Sequence, residues 1–325
     1  MNPAFSVIFL TTLIGVGQGL FLALYTGESY AVVELLQPQS QDFYVWGSVL
    51  SVAFLIAGLV ASVFHLGHPE RAWRAAAMWR TSWLSREVIV LPTVIGAIAI
   101  YGGVHALGWD LQSFGFETIV RGDLTLILGF GGVLVTFLLF LCTGMIYGCI
   151  KFLQEWATPL TVINYTLLGV ASGFTFATLF AAYMAPTLVN FYAGWAIIIT
   201  VAAFITRGAS LIRNSKIRSK SSLKTAIGVR HNRIQQRSMG FMGGSFNTRE
   251  YFHGMSIMFM KSIKWIFLVL VFVVPVILLS IAISQVSSSL LIAAFVSQYI
   301  GLIAERWFFF AQANHPQNLY YQTVG

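Results

Sequence analysis

Apolar residues run through this chain in long unbroken stretches, and short polar joints separate them. Crossing a bilayer core as a helix takes roughly 20 apolar residues. Eight stretches meet that length, at about 5–26, 44–66, 87–107, 124–148, 160–184, 188–210, 262–284 and 286–309. Glu28, Glu34, Pro38 and Asp42 mark the first joint, and the basic stretch from Arg71 to Arg86 marks the second. Asp110 to Asp123 and Lys151 to Pro159 mark the next two. Ala185-Pro186 divides the fifth run from the sixth, and Ser284 to Ser289 divides the seventh from the eighth. Apolar residues do not alternate with polar ones, which argues against a barrel. The pattern predicts an all-α integral membrane protein, an eight-helix transmembrane bundle forming a single domain over 1–325, with one large insertion at 213–261.

Composition agrees: 57% hydrophobic and 9% charged residues cannot make the surface and core of a soluble domain. Charge then supplies an orientation. With eight spans, both termini share a side with loops 2–3, 4–5 and 6–7. That side holds Arg71, Arg74, Arg80, Arg86, Lys151, the twelve cations from Arg207 to Lys264, and Arg306; the other holds Arg121 alone. The positive-inside rule makes the basic side, and both termini, cytoplasmic in a bacterial inner membrane. A miscounted helix would scatter these charges. No Lys or Arg precedes the first run and no small-residue cleavage site follows it, so it is expected to be a retained helix and not a signal peptide. The net charge of +8 fits topology and attraction to anionic membrane lipid better than nucleic acid, which is not expected as a partner.

The cysteines, Cys142 and Cys149, stand seven apart on about one face of the fourth span. Two thiols without a CxxC pair make neither a disulfide framework nor a cluster site, so packing is their expected role and no iron–sulfur cluster is expected in this chain. The insertion at 213–261 mixes cations, aromatics, methionines and glycines. Arg230, Arg233, Arg237, Phe241, Phe246, Arg249 and Tyr251 are of the types that anchor protein interfaces, so partner docking is favoured over a basic loop resting on lipid headgroups. Gly240, Gly243 and Gly244 are followed by no Lys-Ser/Thr pair, so they do not form a phosphate loop.

The richest chemistry lies between spans two and three. His65 closes one apolar run and Glu87 opens the next, so the two are expected at about the same depth. A titratable residue at the edge of hydrocarbon is costly unless it faces a partner or a wet cavity, and it is read as functional by default. The plainer alternative has His65 capping the second helix and Glu87 answering the dipole of the third.

The segment His65-Leu-Gly-x-Pro-x-Arg-Ala followed by Ser85-Arg86-Glu87 resembles the membrane-anchor subunits of the dimethyl sulfoxide reductase family. Gln18 amid Gly15, Gly17 and Gly19 is similar to that family's first helix, as Gly301-Leu-Ile-Ala-Glu-Arg306-Trp-Phe-Phe-Phe is to its last. The resemblance implies an anchor for a molybdopterin catalytic subunit and a ferredoxin-like iron–sulfur subunit, exchanging their electrons with a membrane quinone, ubiquinone or menaquinone. It also implies that His65 and Glu87 belong to the quinone site, with Arg71, Arg74, Ser85, Arg86 and Gln18 in support. In dimethyl sulfoxide reductase the docking face points to the periplasm, whereas the charges here place it in the cytoplasm. With the run from Ser238 to Glu250, that looks more like the anchor of cytoplasm-facing sulfite dehydrogenases, implying sulfite:quinone oxidoreduction. The alternative within the family is an anchor that oxidises quinol for dimethyl sulfoxide or related reduction.

Quinone reduction consumes two electrons, which the iron–sulfur partner would bring, and two protons, which a neutral-range His and a buried Glu can supply while arginines polarise a quinone oxygen. Trp73, Trp79 and Trp83 fit an interfacial belt. Protons taken up on the side where the substrate releases them would move no net charge across the membrane. Haem is not expected: of the six histidines, His65 and His105 alone sit at span edges, on opposite faces. No metal site is expected either. A transporter reading draws on helix-interface glycines such as Gly129, Gly131 and Gly132, but no charge is expected near mid-span and no repeat suggests alternating halves. A purely structural anchor is the remaining alternative.

Overall fold

Inside hydrocarbon a backbone N–H or C=O finds no water, so each apolar run must close its hydrogen bonds within itself, as a helix does. The computed structural model describes residues 1–116, 123–218, 222–231, 233–235, 251–285, 287–316 and 318. Eight helices long and apolar enough to cross a membrane account for most of them, and no strand occurs among the described residues. They are α1 (Phe5–Val32), α2 (Gln41–Val63), α3 (Trp83–Leu107), α4 (Asp123–Gly148), α5 (Pro159–Met184), α6 (Val189–Ser215), α7 (Ile257–Gln285) and α8 (Ser288–Ala311). The chain is a multi-pass membrane protein. The outer face of α4 exposes Ile127, Phe130, Leu134 and Phe137, as lipid contact requires.

Local chemistry sets the helix ends. Ser40, Ser82 and Ser256 accept the backbone N–H three residues on and start α2, α3 and α7; Thr158 caps α5 with Pro159 at its first position. Gly108, at φ 63, closes α3 in the left-handed conformation that glycine adopts freely. In α7 the residues Val269–Val273 form a π turn just before Pro275, which has no N–H to give. Helix α8 answers it: Ser297 Oγ donates to Leu270 O at 3.2 Å and Gln298 Nε2 to Val271 O at 3.4 Å.

Several helix ends differ from the apolar runs, α3 beginning at Trp83 and α7 at Ile257, ahead of the expected 87 and 262. Helix α1 continues to Val32, so Glu28 lies inside the bundle and not in a joint. Helix α2 stops at Val63, which leaves His65 beyond its end, and α6 continues to Ser215. Between α2 and α3, Pro69–Met78 winds as a 3₁₀ segment with no buried residue.

Helix α1 is the hub, packed most extensively on α2 and α5 and also on α4 and α8. Glycines on both helices bring its backbone against α5: Gly15 faces Gly169, and Gly19 faces Gly169 and Gly173. Gly17 lies on α2, whose Ser51 donates to Gly17 O at 2.7 Å. Side-chain contacts show which ends meet. The Met1 amine donates to Ala313 O at 2.8 Å, Trp156 Nε1 to Phe309 O at 2.9 Å and Arg213 Nη2 to Gln154 O at 3.0 Å. The chain start, the α4–α5 joint and the ends of α6 and α8 therefore share one end, here the basic end. At the other, Gln39 reaches Thr187 at 3.3 Å, joining the α1–α2 and α5–α6 connections.

At Gly173 an added methyl group would land on the Gly19 backbone, which cannot give way. Gly173→Ala is expected to destabilise the purified chain by about 1–3 kcal/mol, typical of overpacking. Gly131→Ala meets nothing within 4 Å and should melt like the parent in a thermal denaturation series in detergent.

Candidate functional site

Polar side chains gather inside the bundle at both ends. At the basic end, Ser82 caps α3 and starts the helix early enough to carry Glu87 into the interior, where it is 6% exposed. Its carboxyl accepts from the Thr143 hydroxyl of α4 at 2.5 Å. Ser85, earlier on the same helix, is buried as well. Tyr165 of α5 continues the line: its hydroxyl meets Thr143 and donates to Thr11 O at 3.3 Å. Arg306 of α8 lies over the Tyr165 ring, 5.8 Å from its centre, and over Phe309 at 4.9 Å. Arg306 pairs with Glu305 at 2.5 Å, and Glu305 pairs with Arg207 of α6 at 2.8 Å. Buried polar groups thus run from α3 through α4, α5 and α8 to α6.

The other residues singled out from the sequence fall in different surroundings. His65 is exposed in the turn after α2, and the part of its ring that is covered holds its imidazolium below the ordinary range through desolvation. Among the described residues no hydrogen bond joins it to Glu87. Arg71 is exposed and pairs loosely with Glu70 at 3.7 Å. Arg74 stacks on Trp73 and Arg86 on Trp83, at 5.5 and 4.2 Å. Arg86 also donates to Trp79 O and Arg80 O at 2.9 and 2.8 Å, which closes the loop onto the start of α3. Trp73 and Trp79 are 71% and 52% exposed, and none of these arginines enters the bundle. Gln18 is fully buried at mid-helix, donating to Thr136 O of α4 at 3.0 Å, while its Oε1 has no hydrogen-bond partner. In the insertion, Arg230 and Arg233 are exposed and Tyr251 stacks on His315 at 3.8 Å. Arg237, Phe241, Phe246 and Arg249 lie outside the described residues, as does Arg121. Cys142 is buried and Cys149 exposed past the end of α4, so the two thiols do not share one packed face.

Two groups were not foreseen. Arg207 and Arg306 counted only as charges on the basic side, yet they are buried with Glu305. These paired charges stand inside the last turns of α6 and α8, toward the basic end and away from mid-span. The signal available was the pairing of two isolated cations with the acid at 305. The second group closes the opposite end. Because α1 runs past Thr26, Glu28 meets Thr125 at 2.5 Å, Tyr101 at 2.6 Å and His105 Nε2 at 3.3 Å, joining α1, α3 and α4. His105 stacks on Tyr44 at 4.5 Å. Glu28, Tyr44, His105 and Thr125 line a cavity of about 550 Å³ together with Glu34, Trp109 and Asp110. Hydrogen bonds from Ser113 hold the exposed Asp110 carboxyl below its ordinary range. Among the described residues, no group of three or more His, Cys, Asp or Glu is arranged to hold a metal ion.

Comparison with known proteins matches the same span of chain. Residues 1–321 fit the family described as DMSO reductase anchor subunit (DmsC). The chain is 54% identical over 324 residues, covering all of both proteins, to a sulfite dehydrogenase subunit of Allochromatium vinosum.

The Glu28 cluster makes a direct prediction. Glu28→Ala removes the acceptor of two buried hydroxyls, each costing about 1–3 kcal/mol when left unpaired. A lower melting temperature is expected, with Glu28→Gln closer to the parent because it keeps one acceptor oxygen. An Ala variant that melts with the parent would show the cluster to be idle.

Proposed function

This chain belongs to the DMSO reductase anchor subunit family, and from that premise we propose that it reduces membrane quinone with electrons from an iron–sulfur subunit, the electrons originating in sulfite oxidised on a molybdopterin subunit. It is the membrane anchor of a redox complex; its own chemistry is the quinone half.

The observation that carries this reading is Glu87. It is a carboxyl sunk between α3 and α4 at the basic end, bonded to a hydroxyl and lying next to the exposed arginine-rich loop where a soluble partner has access. A carboxyl in that position passes a proton to a reduced quinone oxygen and recovers it from the basic side. His65, neutral at physiological pH through its partial desolvation, offers one ring N–H at the loop edge. The exposed Arg71 and Arg74 are suited to the partner's docking face or to the quinone edge. Ser85 is buried on α3 and Gln18 on α1, and Arg230, Arg233 and Tyr251 of the insertion are suited to partner docking. The sulfite assignment draws on the activity of the relative matched over its full length.

The charge asymmetry favours the basic end, with both termini, in the cytoplasm of a bacterial inner membrane, so the partners dock there. Sulfite plus water gives sulfate, two protons and two electrons, and quinone takes up two of each. Uptake and release on one side leave the membrane potential untouched.

Two measurements test the proposal. In the complex purified with its molybdopterin and iron–sulfur partners, sulfite drives reduction of a water-soluble quinone. Glu87→Gln and His65→Ala are expected to slow it at least about tenfold, at the low end of general acid–base effects, with the complex intact. Parent-like rates would discard the site, and silence towards sulfite with partners present would discard the substrate alone. For orientation, a membrane-impermeant maleimide should label the exposed Cys149 in inverted vesicles and leave intact spheroplasts unlabelled. The reverse pattern turns the topology over.

A further inference from the structure

A threonine inside an α-helix commonly turns its hydroxyl back on its own helix and donates to the carbonyl one turn earlier. Thr12, Thr93, Thr175 and Thr178 all do so, each at 2.9 Å from the oxygen four residues before it. Thr143 of α4 makes no such bond among the described residues. It sends its hydrogen across to α3 instead, onto Glu87 Oε1 at 2.5 Å, from a position that is 1% exposed.

That bond makes the two oxygens of the Glu87 carboxyl unlike. Oε1 accepts from Thr143, the only side chain hydrogen-bonded to Glu87 among the described residues. Oε2 makes no hydrogen bond among them, and it is not fully enclosed, as the unpartnered Gln18 Oε1 is. The neighbouring donors are committed elsewhere. Arg86, next along α3, is tied outward to Trp79 O and Arg80 O, and the Tyr165 hydroxyl donates to Thr11 O at 3.3 Å. A protonated carboxyl has one oxygen that donates and one that only accepts. A proton on Oε1 would meet the hydrogen of Thr143, so the bond leaves the proton to Oε2, the oxygen that keeps access.

We propose that Thr143 is a positioning residue for the proton donor: its hydroxyl fixes Glu87 Oε1 as the carbonyl oxygen and presents Oε2 as the oxygen that hands its proton to quinone. The inference rests on the reading of Glu87 given above. As two electrons arrive from the iron–sulfur partner, the O–H bond at Oε2 breaks and an O–H bond forms on a quinone oxygen. The carboxylate left behind stays held at Oε1 until a proton from the basic side restores the O–H bond at Oε2.

The test separates a hydroxyl from a shape. Thr143→Val keeps the branched side chain and removes the hydroxyl, and Thr143→Ser keeps the hydroxyl. In the assembled complex, Thr143→Val is expected to lower kcat for quinone reduction about tenfold, as loss of a hydrogen bond to a chargeable group implies. KM is expected to stay at the parent value, because the loss falls on the reacting state and not on binding. Thr143→Ser restores kcat. Infrared spectra read the bond itself, since a carbonyl that accepts a hydrogen bond absorbs at lower frequency than a free one. The carboxyl C=O band that vanishes in Glu87→Gln should move up in Thr143→Val and stay in place in Thr143→Ser. Thr143→Ala serves for both readings if the Val complex does not assemble. Parent kcat in Thr143→Val, an equal loss in Thr143→Ser or an unmoved band, while Glu87→Gln remains slow, overturns the role of Thr143 and leaves the quinone site standing. A Glu87→Gln complex with parent kcat overturns the site itself.

Discussion

Helix α1 has almost no lipid to face. Over its most apolar stretch it is 78% buried, and where it crosses α5 the two backbones touch through Gly15, Gly19, Gly169 and Gly173. Between apolar helices in lipid there is little hydrophobic force, so close backbone packing of small residues supplies the attraction. Everything else is arranged about that contact: α2 lies on the Gly17 face, α4 presses Phe140 against Gly169, and α8 reaches Thr12 through Tyr299 at 3.4 Å. A bundle centred on one helix gives that helix the interior positions, which explains why α1 bears both a fully buried Gln18 and a buried Glu28.

The interior polar groups are sorted by depth. Helix α4 displays the sorting along one stripe: Thr125 meets Glu28, Thr136 lies beside Gln18, and Thr143 meets Glu87. Spacings of 11 and 18 residues return to nearly the same face of a helix with 3.6 residues per turn. Between the first two levels the packing is apolar and aromatic, with Phe21 edge-on to Tyr101 at 5.4 Å and seated over Gly132. Each end has its own buried polar cluster, a carboxyl among hydroxyls and an imidazole at one end and two arginines about one acid at the other.

Much of this was legible in the sequence. Eight helices follow from eight apolar runs, and Glu87 stands out because a carboxyl at the head of a span is costly. What escaped was information carried across the fold. Glu28 interrupts hydropathy without interrupting the helix, so a window that ends at the last apolar residue cuts α1 short. Arg207 and Arg306 look like ordinary flanking charges, because their partnership with Glu305 depends on how α6 and α8 pack, a relation 98 positions apart between Arg207 and Glu305. The chemistry of His65 was read from its position at a helix end. The early stop of α2 at Val63, where the chain turns toward Pro69, moves it into the loop.

The glycine contact has a consequence for how the chain is made. Gly19 is synthesised before its partner Gly173, which follows 154 residues later. At the usual pace of about 5–20 residues per second, translation takes roughly 8–30 s to supply it. Through that interval the most buried helix of the finished protein sits in the bilayer with its glycine face open to whatever lies alongside. The centre of the structure thus reaches the membrane ahead of the seven other spans, and biogenesis has to shelter it until the fifth helix arrives.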